Sequence, residues 1–86
     1  MEYEKSIKNR LKRIEGQIKG VLSMMEQRKD CRDIVIQLSA ARNAIDRTIG
    51  VIVSTNLEHC VRESIEKGEG TEHLVKEAVE LLIKSR

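Results

Sequence analysis

The amino-acid sequence predicts an all-α protein with three helices, of which the middle one is by far the longest. The 86 residues include no Pro, Trp or Phe and a single Tyr, so residues that favour strands and tight turns are nearly absent. Apolar residues recur every three or four positions, which is the spacing of a helix and not of a strand. The clearest interruptions of this spacing fall at residues 29–30 and 68–70, and they divide the chain into three segments.

Length and composition limit what the chain can be. Eighty-six residues fit one small domain, spanning residues 1–86, and leave no room for a separate cofactor domain. Apolar residues make up 40% of the chain, and their regular spacing predicts a folded protein. No apolar run approaches the ~20 residues that cross a bilayer, and no signal peptide follows Met1. We therefore expect a soluble, cytoplasmic protein with no membrane partner.

The first helix is predicted from a single apolar stripe. Its members recur at spacings of three and four: Tyr3, Ile7, Leu11, Ile14, Ile18, Val21 and Met25. This is the pattern of an amphipathic helix. Gly16 and Gly20 lower the helix propensity of the segment. They indicate either the close approach of a neighbouring backbone or simple tolerance.

The second helix is predicted to begin after Asp30, which is a good N-cap residue, with Asp33 in the first turn. It extends to the glycines at 68 and 70, over about 35 residues or roughly 52 Å. One face carries Ile34, Val35, Leu38, Ile45, Ile49, Ile52 and Val53. The opposite face carries Ile36, Ala40, Ala44, Val51, Val61 and Ile65. A helix that is apolar on two faces must be packed on both sides.

A short third helix follows, with Thr71 as its predicted N-cap. Its inner side is predicted to carry Leu74, Val75, Ala78, Leu81 and Leu82. Two short helices cannot cover a middle helix of this length. The sequence therefore predicts an obligate homo-oligomer in which the second helices of two chains pair antiparallel.

The two cysteines, Cys31 and Cys60, are 29 residues apart. On one continuous helix they are separated by about 44 Å, whereas a disulfide requires Cα atoms within about 7 Å, so they cannot pair within one chain. Twenty-nine steps of about 100° return to within about 20° of the starting direction, which places both thiols on one face. If two such helices pair antiparallel, Cys31 of one chain meets the partner's Cys60. Twofold symmetry then gives two dithiol sites.

Cys31 is the better nucleophile of the two. It occupies the first position of the second helix, beside Lys29 and Arg32, and helix N-termini and cations favour the thiolate. The alternative is that each cysteine is a small core residue. A third metal ligand on the same face would stand one turn before Cys60, and that residue is Asn56, a poor ligand for soft ions.

The two histidines are interpreted as exposed polar residues. His59 adjoins Cys60 but points about 100° away from it on a helix, and His73 lies in the third segment. We therefore predict no metal site. No cofactor and no catalytic residue are predicted either.

The net charge of +2 conceals an asymmetry along the chain. Residues 1–32 carry nine Lys or Arg and five acidic residues, a local charge of +4, whereas residues 33–86 carry seven basic and nine acidic residues, a local charge of −2. A basic first helix indicates a polyanionic partner. With a single Tyr, the chain offers no stacking platform for single-stranded nucleic acid.

Taken together, these residues resemble the copper-sensitive operon repressor (CsoR) family. The resemblance covers nearly the whole chain. It rests on residues 9–17 (Asn-Arg-Leu-Lys-Arg-Ile-Glu-Gly-Gln), Asp30-Cys31, residues 37–41 (Gln-Leu-Ser-Ala-Ala), Arg47 and residues 56–60 (Asn-Leu-Glu-His-Cys).

The resemblance implies an antiparallel four-helix-bundle dimer that assembles into a dimer of dimers, a homotetramer. It also implies a repressor of transcription that binds double-stranded operator DNA through basic residues of its first two helices. On this chain the expected DNA-binding residues are Arg10, Lys12, Arg13 and Arg47. Whether two or four chains form the working unit stays open.

The copper, nickel and formaldehyde sensors of the family have a His four residues before the second Cys, where this chain has Asn56. The chain is most similar to the subgroup of CsoR-like sulfurtransferase repressors (CstR). That similarity implies sensing of inorganic polysulfide or organic persulfide. Cys31 would accept a sulfur atom, and the partner's Cys60 would resolve it into a disulfide or a longer polysulfide bridge, by ordinary thiol exchange chemistry.

Two other functions are weighed against this one. A copper(I)-responsive repressor of the same family would use the same thiols. A helical interaction module without DNA binding would have the same charged surface, because such a surface is often only solvated. An enzyme is not expected, since no Cys-x-x-Cys motif, His–carboxylate pattern or Gly-rich phosphate loop is present.

Overall fold

A computed structural model describes residues 2–85 and shows three helices. Helix α1 spans Lys5–Glu26, α2 spans Cys31–Glu66 and α3 spans Glu72–Lys84. No strand occurs within the described residues, so the all-α prediction is confirmed. The long middle helix is confirmed as well, at 36 residues. Between residues 2 and 85, no helix combines the length and the apolar character needed to cross a bilayer.

The described chain forms two compact units. Residues 2–48 contain α1 and the first half of α2, and residues 49–85 contain the second half of α2 and α3. The assignment of residues 1–86 to one domain stays a prediction.

In the unit of residues 2–48, a four-residue turn joins α1 to α2, so residues equally distant from that turn lie opposite each other. The buried residues of α1 are Ile7, Ile14 and Val21, which repeat every seven positions. They share the core with Ala41 and Thr48 of α2. The remaining members of the predicted stripe, including Leu11, Ile18 and Met25, are exposed. Only one row of the stripe therefore faces its own chain.

In the unit of residues 49–85, α3 folds back on the second half of α2. Ala78 and Ser64 are buried, and Leu74 is half-buried. Other residues of the predicted inner side, among them Val75 and Leu82, are 48% and 41% exposed. The predicted inner side of α3 is thus only partly covered.

Several large apolar residues of α2 are not covered by α1 or α3. Their exposed fractions lie between 40% and 65%, and they are Val35, Ile36, Leu38, Ile45 and Ile65. This agrees with the expectation that the chain's own short helices cannot cover the long one. The second copy that would cover these residues stays a prediction.

The ends of α1 and α2 share one hydrogen-bonding pattern. After α1, the Arg28 N–H donates to the Met25 carbonyl at 3.1 Å and the Lys29 N–H donates to the Met24 carbonyl at 2.9 Å. After α2, the N–H groups of Gly68 and Glu69 make the equivalent pair of bonds. This is the Schellman arrangement, which places one residue in the left-handed region. That residue is Gly68 (φ 71°) after α2, but Arg28 (φ 58°) after α1.

The helix starts agree with the predicted positions but not fully with the predicted chemistry. The Asp30 carbonyl accepts bonds from the N–H groups of Asp33 and Ile34, as expected at the start of α2. Thr71 immediately precedes α3, but its side chain makes no capping hydrogen bond, and its backbone is helical (φ −117°, ψ −4°). The predicted side-chain cap is therefore wrong, because capping requires an extended N-cap backbone. A Cβ at Gly16 or Gly20 would meet nothing within 4 Å, so no other part of the described chain approaches these two glycines closely.

Replacing Arg28 with Gly should stabilise the protein. A non-glycine residue in the left-handed region costs about 1–2 kcal/mol of strain. Glycine relieves that strain, but it also increases the conformational entropy of the unfolded chain, which offsets part of the stabilisation. We expect Arg28→Gly to raise the free energy of unfolding by about 1 kcal/mol, measured by urea denaturation. Gly68→Ala is the matched control and should lower it. A loss of stability in Arg28→Gly would show that the Arg28 side chain makes a contact worth more than the strain.

Candidate DNA-binding pocket and sensing thiols

Three of the four predicted DNA-binding residues surround one open pocket of about 210 Å³ in the unit of residues 2–48. We call it the arginine pocket, and its lining residues are Arg10, Arg13, Ile14, Gln17, Ala44, Arg47 and Thr48. Arg10, Arg13 and Gln17 follow one another at spacings of three and four on α1, so they share a face of that helix. Arg47 reaches the pocket from α2, because it lies about as far beyond the turn as Arg10 lies before it.

Lys12, the fourth predicted DNA-binding residue, is exposed on α1 but does not line the arginine pocket. On a helix it points about 100° away from Arg13. The structure therefore brings the three arginines together and leaves Lys12 apart from them.

The arginines of the pocket take part in no ion pair within the described residues. Each guanidinium offers five N–H donors and no acceptor. Every ion pair found among residues 2–85 lies between residues 58 and 67 of the other unit, so none involves these arginines. Thr48 is buried, and its hydroxyl donates to the Ala44 carbonyl at 2.8 Å. The pocket thus presents three positive charges and one amide to any anion.

Cys31 is exposed at the first position of α2, as predicted. Asp33 is the acidic residue of the first turn. Within the chain Cys31 is a free thiol, and so is Cys60. Since α2 is one continuous helix, the two thiols are 29 residues apart along it.

Cys60 is half-buried in the unit of residues 49–85. It lines a small pocket of about 30 Å³ between α2 and α3, together with Asn56, Leu74 and Glu77. The Cys60 thiol donates a weak hydrogen bond to the Asn56 Oδ1, with 3.9 Å between sulfur and oxygen. The residue one turn before Cys60 therefore contacts the thiol through a neutral amide.

Both histidines are exposed, as predicted. The His59 Nε2 lies 3.7 Å from Glu63, and the Lys67 ammonium donates to Glu63 at 3.1 Å. The Lys67 bond and charge, with a smaller contribution from His59, hold the pKa of the Glu63 carboxyl below its ordinary value. The same bond to Glu63 raises the pKa of Lys67. Within the part of the chain that the structure describes, no cluster of three His, Cys, Asp or Glu residues could hold a metal ion.

Sequence interpretation missed two residues at these pockets. Gln17 joins the arginine pocket, and Glu77 joins the pocket at Cys60. The spacing of Gln17, four residues after Arg13, could have identified it as a member of the same helix face. Glu77 has no such signal, because its position depends on how α3 packs against α2.

Comparison with known proteins places this arrangement in a family. The model of a family described as "Metal-sensitive transcriptional repressor" matches residues 3–84. The uncharacterized protein YrkD of Bacillus subtilis (strain 168) is 76% identical over 63 residues, which are 73% of this chain and 100% of YrkD. The copper-sensing transcriptional repressor CsoR of the same organism is 37% identical over 78 residues, 91% of this chain and 76% of CsoR.

Among solved structures, the nickel-responsive transcriptional regulator InrS is similar with a TM-score of 0.79 and 32% sequence identity, over 96% of this chain and 92% of InrS. The resemblance to CsoR-type repressors is confirmed, and repressors of transcription are not enzymes, in agreement with the non-enzyme prediction. The finer similarity to the sulfurtransferase-repressor subgroup stays a prediction. With a family model matched over nearly its full length and relatives that align along both of its units, the chain belongs to the metal-sensitive transcriptional repressor family.

Proposed function

We propose that this protein is a cytoplasmic repressor that binds double-stranded operator DNA and releases it when Cys31 and the partner's Cys60 react with persulfide or polysulfide. The observation that carries the choice of effector is the Asn56 contact with Cys60. A neutral amide occupies the position where a copper site would need a third soft or imidazole ligand. Two thiols without that ligand are suited to thiol exchange.

DNA binding is supported by the arginine pocket. Arg10, Arg13 and Arg47 converge with no carboxylate partner among residues 2–85. Guanidinium groups are well matched to phosphate oxygens, and Lys12 adds a further positive charge on α1. We propose that these four residues contact DNA mainly through its phosphates.

Replacing Arg10 or Arg47 with Ala should weaken operator binding by about tenfold or more at low salt, since a hydrogen bond to a charged group is lost. The slope of log affinity against log salt should flatten by about 0.9 for each phosphate contact removed. Fluorescence anisotropy over a salt series measures both quantities. Lys19→Ala is the charge-matched control, because Lys19 is exposed on α1 outside the pocket. Unchanged isotherms in both arginine variants would place the DNA surface elsewhere.

Pairing of two chains is supported by exposed apolar residues on the same face of α2 as Cys31. Val35, Leu38 and Ile45 are 53%, 41% and 40% exposed. On α2 they lie within about 40° of the direction of Cys31. An antiparallel second copy of α2 would cover them and bring the partner's Cys60 to Cys31. We propose this dimer, and its assembly into a dimer of dimers, as the working form.

The sulfur chemistry balances with the effector as the oxidant. The Cys31 thiolate attacks a sulfane sulfur of the polysulfide, and the shortened polysulfide leaves as an anion, so Cys31 becomes a persulfide. The thiolate of the partner's Cys60 then attacks the sulfur bonded to the Cys31 Cβ, and hydrosulfide leaves. Two thiols have been oxidised to a disulfide, and one sulfane sulfur has been reduced to sulfide. Longer bridges retain additional sulfur atoms.

Copper(I) is the second candidate effector. The relatives that are copper-sensing repressors support it, and so do the two thiols of this chain, which are ligands that copper(I) prefers. Both candidates use Cys31 and Cys60. They differ in whether the product on the thiols is covalent.

Mass spectrometry of the purified protein, after separate exposure to sulfide, polysulfide and Cu(I), tests the choice of effector. We expect polysulfide to produce a species with the mass of two bridged chains, with additional mass in steps of one sulfur atom for persulfides and longer bridges, and we expect sulfide to produce no change. Copper bound at one ion per dithiol, together with no covalent change under polysulfide, would favour the copper-responsive candidate. Neither result depends on knowing the operator sequence.

A further inference from the structure

The arginine pocket has the features of a site for one small anion and not only of a positively charged surface. Its volume is about 210 Å³, its walls are the guanidinium-bearing side chains of Arg10, Arg13 and Arg47, and Ile14 and Ala44 are among its apolar lining. A diffuse patch of lysines would attract any anion in proportion to its charge. A pocket with donors on several sides also selects for the number and arrangement of acceptor atoms.

Gln17 distinguishes a site for one small anion from a positively charged surface, because Gln17 is neutral and can contribute only through hydrogen bonds. Its amide offers two N–H donors from α1, one turn beyond Arg13. Thr48 cannot take this role, because its hydroxyl proton is already donated to the Ala44 carbonyl at 2.8 Å. None of the lining residues is acidic, so nothing in the pocket wall competes with an anion for these donors. Gln17 is therefore the neutral donor of the pocket.

We propose that the arginine pocket is a site for a single tetrahedral oxyanion of the phosphate type, and that Gln17 donates to it beside the three arginines. A phosphate group can accept from two guanidinium forks and an amide at once, whereas chloride has no separate oxygens to share among them. One DNA phosphodiester and free inorganic phosphate share this chemistry. Binding of a DNA phosphate in the arginine pocket rests on the proposed operator binding, whereas binding of free phosphate in the same pocket does not.

The first experiment titrates inorganic phosphate into the full-length, DNA-free protein at constant ionic strength, with chloride as the balancing ion, and follows backbone and Gln side-chain amides by NMR. We expect saturable shifts at Gln17 and around Thr48. Gln17→Leu should weaken phosphate binding by about threefold or more without any change of charge. Lys19→Ala, which removes a charge outside the pocket, should leave the saturation in place. Shifts that stay linear, or that respond to charge but not to Gln17→Leu, would overturn the proposal.

The second experiment decides which source of phosphate occupies the pocket. Operator affinity is measured in potassium chloride and in potassium phosphate at equal ionic strength. If a DNA phosphate is seated in the arginine pocket, phosphate weakens wild-type binding more than chloride does, and Gln17→Leu reduces that difference. Equal affinities in the two salts, with saturable phosphate binding in the first experiment, would overturn the DNA source and support the free oxyanion.

The two experiments also separate this proposal from operator binding itself. A protein that binds no DNA but shows saturable, Gln17-dependent phosphate binding supports the oxyanion site and contradicts the repressor function. A protein that binds DNA with no dependence on Gln17 in either experiment contradicts the oxyanion site alone. Circular dichroism checks that each variant folds, and Gln17 is exposed, so its replacement removes no core contact.

Discussion

Polysulfide should abolish operator binding by the wild-type protein, and Cys31→Ser should abolish that response. An effector releases DNA only to the extent that it favours the DNA-free conformation over the DNA-bound one. A covalent bridge between Cys31 and the partner's Cys60 joins two helices directly, so its effect on conformation does not depend on additional ligands. Fluorescence anisotropy with labelled operator, before and after polysulfide treatment, measures the release.

Cu(I) should change the same DNA affinity little. Two thiolates can bind Cu(I), but Asn56 supplies no imidazole to connect that ion to the next turn of α2. Asn56→His is the matched variant, and we expect it to gain a response to Cu(I) while keeping the response to polysulfide. If stoichiometric Cu(I) released wild-type protein from DNA as fully as polysulfide did, the copper-responsive candidate should replace the persulfide one.

Polysulfide-treated protein should run as a covalent dimer on a non-reducing gel and return to a monomer with thiol reductant. The physical reason is the predicted separation of the two thiols of one chain, because 29 residues of helix span about 44 Å whereas a disulfide requires Cα atoms within about 7 Å. The proposed antiparallel pairing would place a dithiol site at each end of the helix pair, so we expect nearly all of the protein to be converted.

Cys60→Ser is the control for the covalent dimer. It should accept sulfur at Cys31, as seen by mass spectrometry, but should give no bridge between Cys31 and Cys60. If polysulfide-treated wild-type protein contained a bridge between Cys31 and Cys60 but ran as a monomer, the bridge would lie within one chain. That result would contradict both the antiparallel arrangement and the continuous helix. Loss of the bridge in Cys60→Ser alongside normal wild-type dimers would support both.

The helices themselves were predictable, because apolar spacing and the positions of Asp30 and Gly68 are local properties of the sequence. The end of α1 was less so, since Arg28 occupies a left-handed position that sequences usually give to glycine. Which row of the α1 stripe is buried was also not predictable. Ile14 and Leu11 are equally apolar, and only the direction from which α2 packs makes one 8% and the other 50% exposed.

The candidate sites also contain some residues that the sequence identified and others that only the structure revealed. Arg10 and Arg13 were identified from charge and family resemblance, and the α1–α2 hairpin explains why Arg47 joins them. Gln17 lies in the family motif of residues 9–17 and shares a helix face with Arg13, but it is neutral and was not identified as a site residue. Glu77 belongs to its pocket only because of how α3 packs on α2. Asn56 was identified as the residue that replaces a metal ligand, but its hydrogen bond with the Cys60 thiol was found only in the structure.

The exposed apolar side chains have a consequence for the supply of this regulator. Among residues 2–85, fifteen large apolar side chains are exposed and five hydrophobic residues are buried. A single copy therefore exposes to water much of the apolar surface whose burial would stabilise it. If a second copy covers that surface, folding and pairing become one equilibrium governed by mass action. At low concentration, newly synthesised chains would then be unfolded and would be degraded by proteases faster than they dimerise. The amount of functional repressor would fall more steeply than the amount of translated chain, which sets a minimum rate of synthesis below which its operator stays free.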